Sequence, residues 1–189
     1  MRRLTVFNLV SIDGYFCDNA GDMSWAHRAQ NIQDPEWSAF VAGNAKGGGE
    51  LLFGRVTYDM MPAYWPTPMA AQANGVVAER MNNGRKIVFS RKMKEATWSN
   101  TTLVKGDMCR EVRRMRNEDG VGMAVLGSGT LVAQLAQEDL VDEYQLAVIP
   151  VVLGAGRSLF EGVTNAPKLV LAASRAFKNG NVLLTYGPA

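Results

Sequence analysis

From Leu4 to Ser11 the chain is apolar with Thr5, Asn8 and Ser11 interspersed, and the run empties into Asp13-Gly14, which predicts a strand followed by a turn. Glu50 to Phe53, closed by Gly54, and Lys86 to Phe89, which follows Asn83-Gly84, predict two short strands. Between the first two, Asp34-Pro35-Glu36 supplies a cap, a first-turn proline and a first-turn acid, and Trp37, Phe40 and Val41 recur at helical spacing. A helix is expected there, stopped by Gly47-Gly48-Gly49. A second is expected after Arg55 as far as Pro62, and a third over Ala70 to Met81, weakened by Asn74-Gly75.

Thr102 to Lys105 predicts a strand, Asp107 the cap of a helix to about Glu118, and Met123 to Leu126 a buried strand that runs into Gly127-Ser128-Gly129-Thr130. Leu131, Val132 and Leu135 then share one helical face. Tyr144 to Val152 predicts a longer strand interrupted at Pro150, because proline cannot donate to a ladder. Leu169 to Tyr186 predicts an antiparallel pair turning at Lys178-Asn179-Gly180-Asn181. Together these patterns predict an α/β fold, with a mostly parallel central sheet flanked by helices and antiparallel C-terminal strands. At 189 residues, 47% of them hydrophobic, the chain suffices for one sizeable core, so residues 1–189 are expected to form a single domain.

Charge narrows the partners. Twenty basic and 18 acidic side chains leave a net +2, so no global field favours nucleic acid or an anionic membrane. Arg110, Arg113, Arg114 and Arg116 are close in sequence, but a helix spreads them around its surface, and a solvated helix is the expected reading. No stretch is apolar for long enough to span a bilayer, and Leu4 to Ile12 is unlike the core of a secretory signal. Two cysteines, Cys17 and Cys109, and one histidine, His27, exclude a disulfide framework and a cysteine-rich zinc site. A cytoplasmic protein without a structural metal is expected.

Four segments could carry chemistry. At Val125 to Thr130 a buried strand empties into two glycines and a helix start, where outward amides and the helix dipole favour an anion. A tight turn that binds nothing explains this segment equally well. Gly54-Arg55-Val56-Thr57 repeats the strand-to-helix arrangement with a cation. Ser90-Arg91-Lys92 puts a hydroxyl and two cations beyond a third strand end, as a ribose 2′-phosphate would require. Three such strand ends together suggest one dinucleotide cleft. The fourth segment is acidic: Asp13, Asp18, Asp22 and Glu36, of which a buried member could protonate or grip a heterocycle. Trp25, Trp37, Tyr64 and Trp65 are expected mainly in the core.

At these residues the chain resembles the dihydrofolate reductase-like family, and within it the C-terminal reductase domain of the bifunctional riboflavin-biosynthesis protein and its stand-alone relatives. The resemblance is carried by Ser11 to Tyr15, Phe53 to Tyr58, Leu126 to Leu131, Leu140 to Tyr144 and Pro150 to Gly156, in that order and spacing. It implies that Gly54, Arg55 and Thr57 line the phosphates of NADPH, that Ser90 and Arg91 meet the adenosine 2′-phosphate, and that Gly127, Ser128, Gly129, Thr130 and Leu131 hold the pyrophosphate. Aligning Phe40 with the phenylalanine that follows the family's folate-contacting acid brings Glu36 near that acid's position, and Glu36 or Asp13 becomes the candidate catalytic acid or anchor. The C-terminal strands of relatives imply a homodimer. The implied activity is NADPH-dependent hydride transfer to a small nitrogen heterocycle, pterin-like or aminopyrimidine. The alternative is a non-catalytic nucleotide- or pterin-binding protein on the same fold.

Overall fold

The computed structural model describes residues 1–28 and 34–189. Its elements follow as β1 (Leu4–Ser11), β2 (Tyr15–Cys17), α1 (Trp25–Arg28), α2 (Pro35–Lys46), β3 (Glu50–Gly54), α3 (Arg55–Met60) with a 3-10 turn over Met61–Ala63, α4 (Pro68–Asn83), β4 (Lys86–Phe89), β5 (Thr101–Val104), α5 (Met108–Arg116), β6 (Met123–Leu126), α6 (Gly129–Gln137), β7 (Glu143–Ile149), β8 (Arg157–Ser158), β9 (Leu169–Ala176) and β10 (Val182–Pro188). The main sheet has the order β5-β4-β3-β6-β1-β7-β10-β9. Strands β5 through β7 in that order pair in parallel, whereas β10 is antiparallel to both β7 and β9.

Local chemistry explains the helix ends. Asp34 caps α2 by accepting from the amides of Glu36 and Trp37, and Pro35 opens the first turn. Asp107 caps α5 through the Arg110 amide. In α4 the backbone of Asn74 leaves the helical region (φ −160°, ψ 89°), and its side-chain oxygen accepts from the Val77 amide, so one asparagine both breaks the helix and restarts it. Strand β7 ends at Ile149, immediately before Pro150.

Helices cover both faces of the sheet. On one, Val112 and Met115 of α5 and Leu131, Val132 and Leu135 of α6 pack on Leu4, Val6, Val10, Met123 and Val125. On the other, α2 sets Trp37 and Phe40 against Ala147, Ile149, Leu183 and Phe177, while Tyr58, Met81 and Trp98 cover Leu51, Phe53 and Val88. Trp25 and Trp37 are therefore core residues, but Tyr64 is exposed and meets Trp65 edge-on. The His27 side chain lies outside the described residues.

Two features escape sequence periodicity because they are too short to show one. Helix α1 is a single turn, and β2 pairs with β8, which folds the segment after β7 back over the segment after β1. Among the described residues no helix is long and apolar enough to cross a membrane.

Candidate functional site

Strand lengths shape the C-terminal edge of the sheet. The β1–β6 ladder ends at Phe7 and Leu126, whereas β1–β7 continues to Ser11 and Ile149. On the other side β3–β6 ends at Leu52 and Val125, whereas β3–β4 continues to Gly54 and Phe89. β6 therefore stops short of both neighbours and leaves a notch between β1 and β3. This is where an open α/β sheet exposes strand ends and helix starts to a ligand.

Two turns line the notch and are bonded into one ledge. The Ser128 hydroxyl accepts from the Gly54 amide at 2.9 Å, and the Ser128 amide donates to the Thr57 hydroxyl at 3.0 Å. Gly127 and Ser128 both have positive φ, 58° and 57°, which swings the chain sharply from β6 into α6. A Cβ on Gly129 would fall 2.4 Å from the Phe16 ring, so this glycine is explained by protein packing without a ligand. The first amides of α3 and α6 have no intrahelical acceptor, and both helix starts open on the same ledge.

Of the predicted phosphate residues, Gly54, Arg55 and Thr57 thus come together with Gly127 to Leu131. Arg55 pairs with Asp59 at 3.0 Å across an exposed turn, a contact weak enough to exchange for an anion. Ser90 and Arg91 follow the end of β4, beside Gly54 in the sheet register. The Ser90 hydroxyl accepts from the amides of Lys92 and Met93, which turns the chain there, and the Arg91 side chain is exposed.

The acids are arranged otherwise. Glu36 is exposed and ion-paired with Arg175 of β9 at 2.7 Å. Asp34, two residues earlier, is the buried one, but its carboxylate is occupied by the amides of Glu36, Trp37 and Asn179. Asp13, just beyond β1, accepts from the amides of Leu153 and Gly154 at 3.2 and 2.7 Å and joins the loops after β1 and β7. The Ser11 hydroxyl, and after it these two amides, hold its carboxyl below the usual carboxylate range. Asp18 and Asp22 close the turn between them and Ser24.

One residue that sequence reasoning missed also reaches the ledge. The β2–β8 pairing brings Arg157 to the start of α6, where it contacts the Thr130 hydroxyl at 3.3 Å and lies over Phe16. No motif around Arg157 announces this, since the neighbourhood exists only when β8 folds back. At the opposite edge of the sheet lies a cleft where Arg2 and Arg85 pair with Glu50, and Arg114 with Glu111 and Glu118. Arg113 and Arg116 are likewise paired, with Glu138 and Asp142.

Sheet order, parallel crossovers and the antiparallel C-terminal pair define a dihydrofolate reductase-like α/β protein. The family model of the RibD C-terminal domain matches residues 2–183, and the chain belongs to that family. It is 26% identical to the uncharacterized protein YyaP of Bacillus subtilis (strain 168) over 185 residues, covering 98% of this chain and 94% of YyaP. Among solved structures it is similar to a Shewanella sp. PV-4 protein called "Putative riboflavin biosynthesis protein", with TM-score 0.75, 24% identity and 99% of each chain covered. It is also similar to the diaminohydroxyphosphoribosylaminopyrimidine deaminase/5-amino-6-(5-phosphoribosylamino)uracil reductase of Thermotoga maritima, with TM-score 0.70 and 17% identity, covering all of this chain and 57% of that one.

Proposed function

We propose that the chain is an NADPH-dependent reductase that transfers a hydride to a flat nitrogen heterocycle of the aminopyrimidine or pterin type. The observation that carries this reading is the bonded ledge, in which Ser128 ties the glycine turn after β3 to the glycine turn after β6. Two helix starts then open beside each other, with Arg55 at the start of α3, Arg157 at the start of α6 and Arg91 just beyond β4. This donor set fits a dinucleotide carrying a 2′-phosphate: α3 and α6 take the pyrophosphate, and Ser90 and Arg91 the adenosine phosphate. Bound NADPH would supply the hydride, and the reduced ring would take up one proton to balance it.

For the acids, Asp13 is the better placed of the two candidates. It lies two residues beyond the end of β1, where the amides of Leu153 and Gly154 hold it, and its lowered pKa suits accepting from a ring N–H better than donating a proton. Glu36 serves Arg175 before it can serve a ligand. Membership of the RibD C-terminal domain family and the fold shared with a uracil reductase support the substrate class.

The test is titration of the protein with NADPH and NADH, followed by fluorescence and by melting temperature, since a ligand that binds only the folded state must raise it. NADPH is expected to bind more tightly, with the preference over NADH lost in Arg91→Ala. Absence of binding by either nucleotide would discard the reductase reading. Binding without turnover of any heterocycle would favour the non-catalytic alternative.

A further inference from the structure

We infer that the Asn8 side chain reads the amide edge of a flat ring entering the notch, and so selects what the site accepts. The inference rests on the reductase reading above. Asn8 is 2% exposed, and neither its side-chain oxygen nor its nitrogen has a hydrogen-bond partner among the described residues. Buried polar atoms are almost always paired, so both halves of one amide left open call for a missing partner.

Position says where that partner stands. Asn8 is the first residue of β1 beyond the last rung shared with β6, level with Gly127, and therefore borders the notch. Strand alternation turns its side chain to the same face as Val6 and Val10, the face that α6 covers. Its rung partner on β7 is Leu146, so no polar side chain stands directly beside it on that strand. A hydrophobic residue would suit this strand position better, and an asparagine here disrupts the apolar alternation of β1.

A side-chain amide presents one acceptor and two donors in a plane. Its complement is a second amide edge, with donor beside acceptor. Both the carboxamide of a nicotinamide ring and the lactam edge of a pyrimidine or pterin have that form. An interior water would satisfy the same two atoms, and the test must separate it from a ligand.

Asn8→Leu and Asn8→Ala both remove the polar atoms, one with added bulk and one with less. Three probes are titrated on the wild type and on each variant: NADPH, 2′-phospho-ADP-ribose, which lacks the nicotinamide, and 5-aminouracil on the NADP+-loaded protein. Melting temperatures are measured without ligand. At least one variant is expected to melt no lower than the wild type while its affinity for NADPH or 5-aminouracil falls by about five- to tenfold, the loss of one hydrogen bond. Affinity for 2′-phospho-ADP-ribose should be unchanged. A loss confined to NADPH assigns Asn8 to the nicotinamide, and one confined to 5-aminouracil assigns it to the substrate ring. Unaltered affinity for all three probes overturns the inference whatever the melting temperatures. A wild type that binds neither NADPH nor 2′-phospho-ADP-ribose removes the reductase reading instead. The unliganded melting temperatures then decide Asn8: lowered in both variants, the amide serves an interior water and the inference falls; otherwise it is free for a ligand.

Discussion

Replacing Thr57 by valine tests whether the two turns are one ledge. Valine keeps the shape of threonine and removes only the hydroxyl that accepts from the Ser128 amide at 3.0 Å. Thr57 and Ser128 are 5% and 7% exposed, so water cannot readily replace the lost acceptor. A buried amide without a partner costs about 1–3 kcal/mol. For a chain of this size that corresponds to a fall in melting temperature of roughly 3–10 °C. The loss also frees Ser128 to leave its left-handed conformation, which would loosen the second bond, from the Gly54 amide to the Ser128 hydroxyl. Thr57→Ser keeps the acceptor and is expected to stay much closer to the wild type. Urea denaturation by circular dichroism gives the stability difference, and NADPH titration gives the consequence for the site. A Thr57→Val protein within about 0.5 kcal/mol of wild type, binding NADPH equally well, would refute the argument, because surface-like tolerance at this position is incompatible with a buried bond.

Asp142 accepts both guanidinium nitrogens of Arg116 and the Leu4 amide, tying α5 and the start of β1 to β7; Asp142→Ala is expected to cost about 2–4 kcal/mol, read from chemical denaturation. Burial raises the Asp34 carboxyl, but the amides of Asn179, Trp37, Glu36 and Lys178 outweigh it and leave the pKa lowered. The folded chain then binds this proton less readily than the unfolded one, so the contribution is full above the ordinary carboxylate range and is lost as pH falls through the folded value. Asp34→Asn should flatten that acid limb of the melting-temperature profile, and an unchanged limb would remove Asp34 as its source. Among the described residues β9 ends the sheet with no strand beyond it and leaves Val170 and Leu171 about half exposed, and we propose that this edge joins two copies of the chain. Sedimentation is expected to give a dimer for the wild type and a monomer for Leu171→Lys; a monomeric wild type would reject the assembly.

The strands and helices were legible in the amino-acid order wherever one residue or one period suffices to decide them. The apolar run of β1, the proline-opened cap at Asp34, the break at Asn74 and the stop at Pro150 are local effects, and each left its mark within a few neighbouring positions. The glycine turns after β3 and β6 were visible for the same reason. What sequence could not reveal depends on residues far apart in the chain. The bonds from Ser128 to Gly54 and Thr57 span more than seventy positions, and no periodicity encodes them. Arg157 reaches α6 only through a two-residue strand, and the difference between a buried Asp34 and an exposed Glu36 is set by how the C-terminal hairpin lies on α2. The notch itself is a difference between ladder lengths, with β6 ending before β1 and β3, so it exists only once the strands have been put in register. Local propensity and pattern therefore determined the elements and their order, while burial, pairing and the shape of the site were decided by packing, which brings distant groups within the few ångströms over which hydrogen bonds act.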